Sequence, residues 1–323
     1  MDKKLLCLAL VITLAFVFPT EAQQATKVPT IGVLRPGSPP DPVIDAFRER
    51  LRELGYIAGK NIALVYRFGE GKLDRLPELA ADLVRLKPDV IVTSPAQPVL
   101  ALKQLTTTIP IVMNTGDPVA QGIVDSLTRP GGNITGLSYF LPEISGKAME
   151  LLRETVPSIR RLAFLTDSTD PSYGLILKQL EPAARLLGVE LQLVEAREAN
   201  DIDTALSAAI RKHPDALQVM SQPVFNSQRV RIVKLAADNR LPTTFTNRDY
   251  VEAGGLMSYA VLTADLWRRQ AVYVDKILKG AKPAELPIEQ AMKFELFINL
   301  RTAKQLGVTF PPSVLYRADK VIK

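Results

Sequence analysis

Side chains able to do acid–base, nucleophilic or metal chemistry are scarce in this chain of 323 residues, which has one histidine, His213, and one cysteine, Cys7. His213 stands before Pro214 at an expected helix end, where a surface or capping role suits it better than that of a triad base. With one histidine and one cysteine, the nitrogen and sulfur ligands of a zinc site are missing. Two stretches come near enzyme loops and fail on spacing. Gly69-Glu70-Gly71-Lys72-Leu73 lacks the four-residue gap and the Lys-Ser/Thr pair of a phosphate loop. Gly136-Leu137-Ser138-Tyr139-Phe140 lacks the closing glycine of a hydrolase elbow. What the chain does offer is hydroxyls, amides, carboxylates and tyrosines at its turns. Those groups hold a polar solute; they do not transform it.

The elements that must position them alternate. An apolar strand over 28–34 runs into a polar turn, and Asp41-Pro42 then starts a helix, with Asp as N-cap and Pro at the first helical position. Val43, Phe47, Leu51 and Leu54 recur at helical spacing until Gly55 stops them. A second strand is expected over 61–67, a helix through Leu76, Leu79, Leu83 and Leu86, a strand over 89–92, a helix that Ser94-Pro95 would cap, and a strand over 109–113. No hairpin signal interrupts this order. It predicts an α/β protein with parallel sheets covered by helices on both faces.

The order then repeats. Gly131-Gly132 and the strand ending Ser138-Tyr139 are heard again in Gly254-Gly255 and Ser258-Tyr259. Asp170-Pro171 echoes Asp41-Pro42, Leu187-Gly188 echoes Leu54-Gly55, and Pro214-Asp215-Ala216-Leu217 echoes Pro88-Asp89-Val90-Ile91. The prediction is two Rossmann-like lobes, the first over 27–138 plus about 262–285 and the second over 139–261 plus about 286–323, joined by a three-segment hinge. In such sheets ligands bind beyond the carboxyl ends of the strands. The loops there nominate Ser38, Ser94, Ala96, Thr115, Asp117 and Tyr139 in the first lobe, and Asp167, Ser168, Gln222, Asn247 and Tyr259 in the second. Asp117 and Asp167 read two ways, as partners of a ligand ammonium or as caps of the helices that follow. The two tyrosines likewise read as walls for an apolar ligand part or as hinge packing. Through Pro95, the Ser94 loop leads into a helix whose first N–H groups can hold a carboxylate.

The N-terminus differs in character. Asp2-Lys3-Lys4 precede an apolar run over 5–18, and Thr20-Glu21-Ala22 follows with small residues at a cleavage spacing, the layout of a secretory signal over 1–22. Cys7 falls inside that run, so the exported chain would hold no cysteine and no disulfide. The formal net charge of +6 is scattered among acidic residues, with no basic run interleaved with aromatics, which disfavours nucleic acid as a partner.

Several segments together resemble the ABC-transporter substrate-binding protein family, in the branch of type I periplasmic binding proteins with tryptophan- and tyrosine-binding members. They are Ile31-Gly32-Val33-Leu34, Lys87-Pro88-Asp89-Val90-Ile91-Val92, Gly116-Asp117-Pro118-Val119-Ala120, Arg129-Pro130-Gly131-Gly132-Asn133-Ile134-Thr135-Gly136 and Val251-Glu252-Ala253-Gly254-Gly255-Leu256-Met257-Ser258-Tyr259. The resemblance implies a periplasmic protein, expected to be a monomer without cofactor, metal or catalytic residue, that traps a small ligand by hinge closure and delivers it to an ABC permease. A carboxylate-bearing ligand, with an aromatic amino acid among the options, fits the loops. Where the family pattern has Gly-Gly-Thr-Pro, this chain has Thr93-Ser94-Pro95-Ala96, and the missing glycine narrows backbone approach to a ligand. Two other classes remain open on sequence: a ligand-sensing module of a membrane receptor, and an enzyme built on the same two lobes.

Overall fold

The computed structural model describes residues 28–139, 141–290 and 293–323, so the expected signal over 1–22 and Cys7 lie outside the described residues. Among the described residues thirteen strands form two sheets. The first sheet orders its strands β11-β5-β4-β3-β1-β2, where β1 is Thr30–Arg35, β2 Ala63–Phe68, β3 Val90–Thr93, β4 Ile111–Thr115, β5 Ile134–Ser138 and β11 Glu289–Gln290. The second orders them β13-β12-β10-β9-β8-β6-β7, where β6 is Arg161–Thr166, β7 Glu190–Glu195, β8 Ala216–Val219, β9 Thr243–Phe245, β10 Met257–Val261, β12 Phe294–Asn299 and β13 Lys320–Ile322. Every pairing is parallel except β10 with β12. The orders 5-4-3-1-2 and 10-9-8-6-7 are one topology used twice, as the repeated landmarks predict.

Side chains alternate across each strand, so both faces need helical cover. In the first lobe Ile31, Val33, Val90 and Val92 face the helices Pro42–Glu53 and Thr263–Leu278, burying Phe47 edge-on against Trp267 at 5.9 Å. Leu34, Ile91, Ile111 and Met113 face the other side, toward the helices Leu76–Arg85 and Ala96–Leu105. The helix Thr263–Leu278 thus leaves the second sheet after β10 and packs on the first. The first sheet also takes in Glu289–Gln290, paired with Leu137 and Ser138, past residue 285 where the sequence reading returns the chain to the second lobe. The described strands place crossovers between sheets after Ser138, after Val261 and after Gln290.

The ladder corrects the central repeat. Ile91 faces Ile111, and its counterpart Leu217 faces Thr243; two residues on, Met113 and Phe245 are therefore equivalent. Met113 faces Gly136, but Phe245 faces Ser258. Ser258 is thus the counterpart of Gly136, not of Ser138. Two residues keep the same face of the sheet but move a side chain about 6.6 Å along the strand, so Tyr259 sits back from the edge that Tyr139 occupies. Gly136 is confined to glycine: its φ is +136°, and an added Cβ would lie 2.0 Å from the Met113 carbonyl oxygen.

Candidate functional site

The carboxyl edges of the two sheets meet around a cavity of about 20 Å³. From the first lobe it is lined by Pro95, Ala96 and Gln97 at the start of one helix, Thr115 and Gly116 after β4, and Tyr139 after β5; from the second by Asp170, Ser172, Ser221 and Pro223. Such a space holds about one water molecule. The lobes touch across it through two direct hydrogen bonds. Gln97 Nε2 donates to Asp170 Oδ2 at 2.7 Å, and Gln121 Nε2 donates to the Ser172 hydroxyl at 2.7 Å, while Gln121 Oε1 accepts from Thr115 Oγ1 at 2.9 Å.

Asp170 is the electrostatic centre of this cavity. Burial raises its carboxyl pKa above the usual aspartate value, and hydrogen bonds from Ser172 and Gln222 pull only partly the other way. Its partners are neutral: Gln97, the Ser172 N–H at 2.7 Å, and Gln222. Gln222 is buried, and its Oε1 finds no partner among the described residues. Beside Asp170, burial pushes the Tyr139 phenol up, Asp170 adds to the shift and Arg35 opposes it.

Of the residues nominated by sequence, Ala96, Thr115 and Tyr139 line the cavity and Gln222 backs it. The others are engaged elsewhere. Ser38 lies exposed in its turn. Ser94 does not cap the following helix, where the cap position falls on Pro95; its hydroxyl donates to Asn114 Oδ1 at 2.7 Å and its carbonyl accepts from Arg35 Nη1 at 3.0 Å. Asp117 Oδ1 accepts from the Val119 and Ala120 N–H groups, and Asp167 Oδ1 from the Thr169 N–H and hydroxyl, so one oxygen of each carboxylate is engaged by its own turn. Ser168 donates to Glu195, and the Asn247 side chain accepts from the Asp249 N–H at 3.0 Å. Tyr259 stacks on Phe294 at 5.8 Å, beside a separate groove of the second lobe.

Sequence reasoning missed Gln97, Gln121, Asp170 and Ser172. The signal for Asp170 was present, since Asp170-Pro171 matches Asp41-Pro42 and both stand in the loop after the first strand of their lobe. Asp41 caps its helix through the Val43 N–H and pairs with Arg35 at 2.8 Å. Asp170 has no such arginine among the described residues, and the helix after it starts at Tyr173.

Below the cavity a polar network fixes the first-lobe edge. Gln270, fully buried on the helix Thr263–Leu278, donates to the carbonyls of Thr93 at 3.2 Å and Val112 at 3.1 Å. Its Oε1 accepts from Asn114 Nδ2 at 2.7 Å, and Asn114 in turn accepts from Ser94. Three residues earlier on the same helix, Trp267 lies under the Arg35 guanidinium, 4.8 Å from the ring centre.

Two like lobes of helix-covered parallel sheet, meeting at their carboxyl edges and linked by several crossovers, are the fold of the type I periplasmic binding proteins. The chain belongs to the ABC transporter substrate binding protein family, whose model matches residues 37–322. It is similar to the Tyrosine-binding protein of Clostridioides difficile (strain R20291), with 24% identity over 263 residues, 81% of this chain and 75% of that one. Among solved structures, the ABC domain from Streptococcus pneumonia in complex with L-Trp is 26% identical, with 91% of this chain and 99% of that one covered and a TM-score of 0.85. A conserved domain protein from Vibrio cholerae is 28% identical, with 91% and 100% covered and the same TM-score of 0.85.

Proposed function

We propose that the protein is the extracytoplasmic solute-binding component of an ABC importer, and that its lobes close on a small amino acid with an apolar or aromatic part. The observation that carries this reading is Asp170: a carboxylate at the interlobe cavity, with its pKa raised by burial and, among the described residues, neutral hydrogen-bond partners. A ligand ammonium would supply the missing charge and replace the Gln97 amide as the partner of Oδ2. The ligand carboxylate would lie at the start of the helix Ala96–Leu105, whose leading N–H groups have no helical acceptor. The half-buried Tyr139 ring would cover the apolar part. The names of the relatives accord with this class of solute, one being a tyrosine-binding protein and another a complex with L-Trp.

A space for about one water admits no amino acid, so the reading requires the lobes to part, breaking the Gln97–Asp170 and Gln121–Ser172 bonds. Closure on ligand would restore a bridged state. Export follows from the signal over 1–22, with the mature chain starting near Gln23. The test is calorimetry with L-tyrosine, L-tryptophan, their deaminated acids and a neutral sugar. Amino acids should bind, and Asp170→Asn should weaken them about ten- to a hundredfold, the loss of one charge-assisted hydrogen bond. Equal binding of the deaminated acids, or full affinity in Asp170→Asn, would remove the assignment.

A further inference from the structure

A second, larger space lies in the second lobe alone. A groove of about 430 Å³ runs between the helices Leu141–Thr155 and Tyr173–Leu187, over the middle of β10 and the start of β12. That volume falls within the range of small-molecule sites. Its apolar wall is the stacked pair Tyr259 and Phe294; Glu143, Lys147 and Glu150 form one rim and Gln179 the other. None of these residues lines the interlobe cavity.

The charges are not balanced. Lys147 Nζ is held by Glu150 at 2.7 Å, whereas Glu143 is exposed and makes no ion pair among the described residues. The groove therefore presents one free carboxylate, which favours positive charge, beside two aromatic rings that offer an apolar surface. An anion would meet that carboxylate with Lys147, the one cation among the described lining residues, already taken. The groove also sits where the chain passes between sheets: Glu143 follows the first crossover, Tyr259 precedes the second, and Phe294 opens β12 opposite Val261, the residue that ends β10.

We propose that this groove is a second small-molecule site, for an organic cation: a primary amine on a flat apolar body, its ammonium on Glu143 and its body against Tyr259 and Phe294. The site stands apart from the solute proposed for the interlobe cavity. The test titrates the full-length protein with 2-phenylethylamine and with 3-phenylpropionate, an anion of nearly the same shape. The amine should bind and the anion should not. Glu143→Gln should weaken the amine about tenfold, as for loss of a charge-assisted hydrogen bond. Lys147→Ala, which frees Glu150, should tighten it, and Asp170→Asn in the other cavity should leave it unchanged. Absence of amine binding, equal binding of the anion, or full affinity in Glu143→Gln overturns the proposal. Loss of the amine in Asp170→Asn also overturns it, by assigning the amine to the interlobe cavity.

Discussion

Replacing Gln270 by methionine keeps the length of the side chain and removes its polar end. Three hydrogen bonds go with it: those to the carbonyls of Thr93 and Val112, at 3.2 and 3.1 Å, and the one from Asn114 Nδ2 at 2.7 Å. The first two are worth about 1 kcal/mol each net, and stranding the buried Asn114 amide costs about 1–3 kcal/mol more. The thioether recovers part of this as apolar burial, so the expected loss is about 3 kcal/mol. For a folding unit of lobe size that is a fall in melting temperature of about 6–12 °C. Urea unfolding of Gln270→Met, Asn114→Leu and the double variant measures it. The double variant should cost less than the sum, because neither partner is then left unpaired. A single-variant loss under about 0.5 kcal/mol, or strict additivity, would refute the network as a support of the cavity edge. Gln270→Glu adds a check of sign: its carboxylate would face two carbonyl oxygens in a buried site and fold protonated, with a raised pKa. Its stability should be greatest below the usual glutamate pKa and decline as pH rises through the folded value.

Asp170, whose folded pKa is raised chiefly by burial, penalises the folded state increasingly as pH rises through that value. Asp170→Asn should therefore melt higher than the parent at neutral pH, with the gain vanishing below about pH 3.9, the usual aspartate value; scans at several pH values check it. Gly136→Ala places a Cβ 2.0 Å from the Met113 carbonyl oxygen at a φ of +136°, so it should cost about 3 kcal/mol or more, or yield no folded protein. Gly146→Ala, on the helix Leu141–Thr155 where a Cβ meets nothing within 4 Å, should stabilise by about 0.5–1 kcal/mol. Asp41→Ala removes both the cap on Val43 N–H and the pair with Arg35, and should cost about 1–2 kcal/mol in chemical denaturation.

The sequence alone determined what depends on local patterning. Apolar runs such as Val90–Thr93, bounded by Pro88 and Pro95, can only be short buried strands, and Asp41-Pro42 marks a helix start because an aspartate oxygen reaches an N–H two residues on. Repetition of those local signals carried the two-lobe organisation, since similar patterns fold into similar units. What lies between distant segments was decided by tertiary structure. Asp117, Asp167 and Asp170 have the same chemistry and similar loop positions, and each gives one oxygen to a neighbouring N–H group, yet among the described residues only Asp170 turns its second oxygen to Gln97 of the other lobe. Ser138-Tyr139 and Ser258-Tyr259 are the same dipeptide, but register is fixed by packing between neighbouring strands, and it set the second pair back along its strand. Gln270 gave no signal at all: a glutamine on an amphipathic helix looks solvated, and only the fold of Thr263–Leu278 onto the first sheet brings it under Thr93, Val112 and Asn114. Contacts 156 to 177 residues apart in the chain have no period to read.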